Sequence, residues 1–203
     1  AGHTFTAPTD SETLLHGYEE WGEQLVDRLR GMYGFVIWDR VEKKLFGARD
    51  IFGIKPFYYA QMNGTFLFGS EIKSFVEHPK FDKVFNEDAL ADYLSFQFVP
   101  TNETFFKGVF CLQPGHYFTY QNGTLSISRY YEPDFHGKTD KPFEEIVDDV
   151  ERVMRESVKM HKISDVEVGS YLSSGVDSSY MAYLGEVDLS LIHISEPTRP
   201  EPI

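Results

Sequence analysis

A single cysteine, Cys111, stands in the 203 residues of this chain. No intrachain disulfide is open to it, and a reducing cytoplasm is the expected compartment. Long apolar runs are missing as well. No stretch approaches the roughly 20 residues that cross a bilayer, so no membrane partner is expected. Basic residues are few: 19 Lys and Arg against 32 Asp and Glu leave a net charge of −13. That balance disfavours a nucleic-acid partner, whose recognition needs a basic footprint. The seven histidines are scattered without metal-ligand spacing, and no zinc site is expected. A starting methionine is missing too, so the true N-terminus is expected to lie upstream of Ala1.

What is present is a globular composition, 41% apolar and 16% aromatic. The densest chemistry lies in Val166–Tyr180, VEVGSYLSSGVDSSY. The run Val166 to Leu172 is rich in β-branched and aromatic residues and has the length of a buried strand. It stops at Ser173-Ser174-Gly175. Asp177-Ser178-Ser179 then opens a breaker-free segment read as a helix. Strand, small-residue loop and helix N-terminus together suit phosphate: free amides, a positive helix end and short side chains. Ser173, Ser178 and Ser179 add hydroxyl donors. The bland alternative is a turn with ordinary Ser and Asp caps. The loop is not of the Walker type, since no Gly-Lys-Ser/Thr follows.

Along the chain, Thr9 and Glu12 form a capping-box pattern before a helical run of apolar residues from Leu14 to Leu29, with a break at Gly22. Strands are expected at 32–38, 45–48, 57–61 and 65–69 as an antiparallel meander, the last two around Asn63-Gly64, a strong hairpin signal. Ser70 caps a short helix to Glu77, and Asn86 caps a helix from Glu87 to Phe96. Strand signals recur at 104–109, 116–120 and 124–128, the last pair around Asn122-Gly123. Cys111 reads as a structural thiol, and Arg49-Asp50 as a charged pair pinning a loop. Phe143 to Lys162 reads as an amphipathic helix with acids early and bases late.

Two groups of motifs carry a resemblance. SETLLHGYEEWG, LRGMYGFVIWD, ARDIFGIKPFYY and FGSEIKSF resemble, in this order, the second half of a class II glutamine amidotransferase domain. Ser173-Ser174-Gly175-Val176-Asp177-Ser178 is similar to the SGGxDS loop of N-type ATP pyrophosphatases, with Ser174 at a position usually Gly. Amidotransferase followed by such a loop is the layout of the glutamine-hydrolysing asparagine synthetase family. The implied fold is α+β, an N-terminal-nucleophile-type part with antiparallel sheets and helices, followed by the start of an α/β domain, truncated at both ends. The implied division is an amidotransferase part at 1–131, a linker at 132–141 and the start of the synthetase domain at 142–189. Residues 190–203 resemble translated sequencing-adapter read-through and are expected to be foreign to the gene.

The resemblance implies that Asp10 holds the α-amino group of glutamine as a buried carboxylate. Read from the residues alone, Asp10 is a first-turn acid serving the helix dipole. By the same resemblance, Leu172, Ser173, Ser174, Gly175, Val176, Asp177, Ser178 and Ser179 bind ATP, and Asp177 contacts Mg²⁺. The implied parent makes asparagine from aspartate, glutamine and ATP, and the resemblance leaves a homodimer of it open. The family's N-terminal Cys nucleophile is absent from these residues, so this stretch alone is expected to be inactive. Related layouts keep β-lactam synthetases and peptide cyclases as alternatives; phosphoribosyl-pyrophosphate amidotransferases share an RDxxG-like stretch, but the SGGxDS-like loop argues against them, and a non-catalytic binding module is the alternative of another class.

Overall fold

The computed structural model describes residues 2–7, 9–173 and 175–185. Ser174 and the tail from Ser190, both of which carry expectations above, lie outside the described residues. The chain divides into two compact units, Ala1–Phe135 and His136–Ile203. Among the described residues no helix is long and apolar enough to cross a membrane.

The first unit is α+β. Helix α1, Asp10–Trp21, ends at Gly22 with φ 57°, and a 3₁₀ helix, Gly22–Arg28, continues the chain. Seven strands follow: β1 Gly34–Asp39, β2 Lys44–Arg49, β3 Tyr58–Met62, β4 Thr65–Gly69, β5 Val109–Cys111, β6 His116–Gln121 and β7 Thr124–Arg129. The first four do not form the single meander that the sequence suggested for 32–69. The first sheet has the order β1-β2-β6-β7 and the second β4-β3-β5, all neighbours antiparallel. The loop 50–57 therefore hands the chain from one sheet to the other. Hairpin signals fix only local pairing; which hairpins share a sheet is decided by the apolar faces they bury.

Those faces follow the period-two alternation of each strand. Phe35, Ile37, Phe46, Ala48 and Tyr117 pack with Leu25, Val26, Leu14 and Tyr18, placing the helical layer on the outer face of the first sheet. Val36, Leu45, Phe118 and Tyr120 point the other way and meet Phe57, Tyr59, Phe66 and Phe110 of the second sheet and its lead-in. Ala60, Val109, Tyr58 and Leu67 on the far face of that sheet are covered by Phe75, Phe81, Ile72 and Phe106. The unit is thus a helix, sheet, sheet, helix stack with a hydrophobic cluster in each of its three interfaces. Gly47 is required there, because a Cβ on it would stand 2.3 Å from Cε1 of Phe118 on the paired strand.

Several local expectations are corrected. The helix expected at 70–77 shrinks to a single turn, α2 Lys73–Val76, with Ile72 rather than Ser70 before it. Helix α3, Glu87–Phe96, starts after Asn86, but the buried Asn86 side chain does not cap it. Its Nδ2 instead donates to Glu103 Oε2 at 2.7 Å and to the Thr104 carbonyl at 3.1 Å. The expected strand at 104–109 reduces to Val109–Cys111 plus isolated bridges at Phe106 and Glu103. Thr104 turns inward there, its hydroxyl donating to the Val109 carbonyl at 2.9 Å.

In the second unit, α4 spans Phe143–His161 and α5 spans Val176–Leu184. Arg155 lies over the Tyr183 ring at 5.4 Å, and Lys162 Nζ donates to the Gly185 carbonyl at 2.7 Å. The run Val166 to Leu172 is no strand. It has no regular hydrogen-bonded partner among the described residues, and Val166 and Tyr171 are 75% and 81% exposed. A parallel strand takes its hydrogen bonds from neighbours reached through long crossovers, and none lies within the described chain. Most of the apolar face of α4 is exposed for the same reason, with only Val158 buried.

Candidate functional sites

Asp10 is the first residue of α1 and lies on an open cleft of about 510 Å³. Phe5, Thr6, Ala7, Thr9 and Thr13 line the rest. The carboxylate is exposed, not buried as the sequence reading held, because a first-turn side chain projects from the free end of the helix. Among the described residues it makes no ion pair. A bare carboxylate, three threonines and one apolar wall suit a small ligand with an ammonium group, since charge-assisted hydrogen bonds are roughly twice as strong as neutral ones.

The cleft wall is built by half of the expected capping box. Thr9 Oγ1 accepts from the Glu12 N–H at 3.3 Å, as the pattern requires. Glu12 does not return to Thr9. Its carboxylate reaches further back and accepts from the Thr6 N–H at 2.8 Å, the Thr6 hydroxyl at 2.9 Å and the Ala7 N–H at 2.7 Å. Those backbone donors, with the Thr6 hydroxyl and nearby His16, hold its pKa down to about 2.

Behind that wall, His3 and His16 stack at 4.6 Å beside Glu19. The three offer ligand atoms that all lie within 4.8 Å of one another. The sequence reading missed this group. His16 and Glu19 are one helical turn apart, which is legible. That His3 folds back onto them is not, because it depends on the path of the segment before the helix.

Arg49 and Asp50 form a second hub, and not by pairing with each other. Arg49 donates to the carbonyls of Lys55, Gly53 and Leu112 at 2.6–2.7 Å and to Cys111 Sγ at 3.1 Å. Asp50, 1% exposed, accepts from the N–H groups of Phe52, Ile54 and Lys55 at 3.0–3.2 Å. Burial pushes its carboxyl up, yet those backbone donors outweigh it and hold the pKa below the usual range. The pair shapes the loop between the sheets, as the sequence suggested. Tyr130 adds a strut, its hydroxyl donating to the Arg49 carbonyl at 2.6 Å and meeting the Tyr33 hydroxyl at 2.7 Å.

The expected phosphate loop lies at the start of α5. Gly175 precedes the helix without a side-chain cap, and Val176, Asp177, Ser178 and Ser179 make its first turn. Asp177 is therefore not the N-cap but an acid within the first turn, where the Ser179 N–H already donates to the Gly175 carbonyl at 3.1 Å and the amides before it have no intrahelical acceptor. Not every amide of the loop is free, as was expected. The Ser173 N–H donates to Ser178 Oγ at 3.2 Å, the two hydroxyls lie 3.1 Å apart, and Ser178 Oγ donates to the Gly175 carbonyl at 3.1 Å. Leu172 precedes this turn and is 41% exposed, so it is not strand core.

Residues 1–131 match the family described as Glutamine amidotransferase domain, which is more than half of the chain. The chain belongs to the glutamine amidotransferase domain family. Residues 149–190 match a second family, described as Asparagine synthase. Among relatives, Asparagine synthetase [glutamine-hydrolyzing] 3 of Bacillus subtilis is 38% identical over 88% of this chain and 29% of its own length. Asparagine synthetase [glutamine-hydrolyzing] 1 of the same organism is 39% identical over 89% of this chain and 28% of its own length. A Penicillium rubens protein named Amidase chyE is 34% identical over 88% of this chain and 26% of its own length. The chain thus spans less than a third of each of these relatives. A solved glutamine phosphoribosylpyrophosphate amidotransferase from B. subtilis shares 14% identity and a TM-score of 0.44, over 91% of this chain and 39% of that one. This chain therefore carries, besides its amidotransferase match, a stretch that matches a second family.

Proposed function

We propose that this amidotransferase chain is part of a cytoplasmic, glutamine-hydrolysing asparagine synthetase. One observation carries the reading: the two family matches follow one another in a single chain, at 1–131 and 149–190. Asp10 is the residue that receives the α-ammonium of glutamine at the mouth of its cleft. Ammonia released in the amidotransferase part then attacks an activated aspartate carboxylate in the synthetase part.

The α5 turn suits the polyphosphate of Mg-ATP. A Cβ on Gly175 would stand 3.6 Å from Ser173 Oγ and 3.9 Å from Ser178 Oγ, filling the approach that glycine leaves open. The amides of Val176, Asp177 and Ser178 and the Ser179 hydroxyl bind the phosphates, Ser178 Oγ holds the loop in place through Ser173 and Gly175, and the α5 dipole adds to the pull. Asp177 offers a carboxylate to Mg²⁺, which is commonly held by one or two carboxylates plus phosphate oxygens. When bound, the nucleotide supplies the leaving group that a carboxylate lacks.

The test uses the whole parent enzyme. Asp10→Asn is expected to raise KM for glutamine by about tenfold or more, in line with a lost charge-assisted contact of about 1.5–3 kcal/mol, and to leave ammonia-dependent synthesis intact. Equal loss of both activities would refute the role of Asp10. Mg-ATP is expected to raise the melting temperature of the parent, and to do so less in Ser178→Ala. A second reading is favoured by the amidase among the relatives: the same two parts could form an amide on another carboxylate. Turnover of aspartate by the parent separates the two.

A further inference from the structure

We propose that His3, His16 and Glu19 form a transition-metal site, suited to Zn²⁺, one contact beyond the residues that line the Asp10 cleft. Their ligand atoms all lie within 4.8 Å of one another. Glu19 Oε2 lies 3.0 Å from His16 Nδ1 and 3.6 Å from His3 Nδ1. Ligand atoms around a tetrahedral ion with bonds of about 2.0–2.2 Å stand about 3.3–3.5 Å apart, between those two values. Two imidazole nitrogens and one carboxylate, with a fourth position for water, is a common zinc set.

The other side of each ring is also built. His3 Nε2 faces Glu20 Oε2 at 3.4 Å, and His16 Nε2 faces Glu12 Oε1 at 3.6 Å. Both Nε2 atoms are buried, and neither completes a hydrogen bond. Metal-binding histidines almost always donate their second N–H to a carboxylate, carbonyl or water, which fixes the tautomer and raises ligand basicity. Here both rings have that carboxylate in place. Three carboxylates around two imidazoles also attract a dication. The rings now stack with planes 26° apart, so one must turn about χ2 for both lone pairs to meet at a point. That torsion is broad for histidine.

The site reaches the cleft through Glu12, whose carboxylate holds Thr6 and Ala7, and through Phe5, whose ring stands edge-on to His16 at 5.0 Å.

Titration of the full chain with Zn²⁺, followed by calorimetry, is expected to show one saturable ion per chain. Co²⁺ is expected to give the absorption of a tetrahedral site. His16→Ala and His3→Ala are expected to abolish both signals, while His78→Ala leaves them unchanged. Glu20→Gln, which keeps the ligands and perturbs only one partner, is expected to weaken binding by about 10–100-fold. The circular dichroism spectrum of each variant checks its folding. Absence of saturable binding in the wild-type chain overturns the proposal, as does binding that survives His16→Ala. Neither result depends on glutamine or ATP, so the reading of the active sites stands or falls separately.

Discussion

Asp50 shows what a single side chain does in this fold. It sits where the chain leaves the first sheet, and three backbone N–H groups converge on its carboxylate. Asp50→Ala strands those donors in a dry place. Each buried unsatisfied group costs about 1–3 kcal/mol, with part recovered by water. The expected loss is about 3 kcal/mol in urea unfolding, and a loss below about 1 kcal/mol would show that the loop has other supports. Glu12 is the second case. Its pKa is lowered in the folded chain from the ordinary 4.5 to about 2. The stabilisation it brings is therefore complete above pH 4.5 and is lost as pH falls toward 2. Melting temperature should decline across that window in the wild type and more shallowly in Glu12→Gln. Residue roles of this kind were only partly legible. Thr9 and Glu12 announce a helix start, and half of that motif forms. That Glu12 would serve Thr6 and Ala7 instead depends on the backbone before the helix, for which no short pattern exists.

At the scale of elements, local chemistry was the better guide. Asn63-Gly64 and Asn122-Gly123 each place two successive residues at positive φ, between 49° and 81°, and each closes a two-residue hairpin. Such turns match strand twist, so the pairing around them could be read directly. Sheet membership could not, because it rests on facing side chains distant in sequence. Gly47 makes the point. Glycine inside a strand is unfavourable taken alone, and its reason is the Phe118 ring lying across it. Gly47→Ala must displace a fully buried ring between two sheets. A destabilisation of about 1–3 kcal/mol is expected, as for other overpacked cores. Gly47→Ala combined with Phe118→Leu should recover part of it. A single mutant with wild-type stability would mean that the sheets spread without cost.

At the scale of the whole chain, the two units differ in what they contain. Ala1–Phe135 holds two sheets and the helices that cover them; the described part of His136–Ile203 holds two helices and no strand. The run Val166 to Leu172 has the composition of a buried strand and, among the described residues, lacks neighbours to bury it. Composition is a property of the segment, whereas a strand is a property of its partners. Amide hydrogen exchange should register this directly. Amides of β2 and β6, paired on both sides, are expected to be strongly protected, and those of residues 166–172 to exchange at nearly the unfolded rate. Strong protection of 166–172 in this chain would mean that a partner strand exists outside the described residues. The same contrast explains why the first unit was the more legible: its described residues hold two paired sheets and the helices that cover them, while those of the second hold helices alone.

The two Asn-Gly turns also give the molecule a way to age. A glycine after asparagine leaves the following peptide nitrogen unshielded, so it can attack the side-chain amide, expel ammonia and form a cyclic imide. Opening of that ring yields isoaspartate, which adds a methylene to the main chain and spoils a two-residue turn. The side-chain amide of Asn63 is held on the Lys80 carbonyl at 3.0 Å, whereas that of Asn122, equally exposed, has no such bond among the described residues. Stored protein should therefore lose the β6–β7 corner before the β3–β4 one.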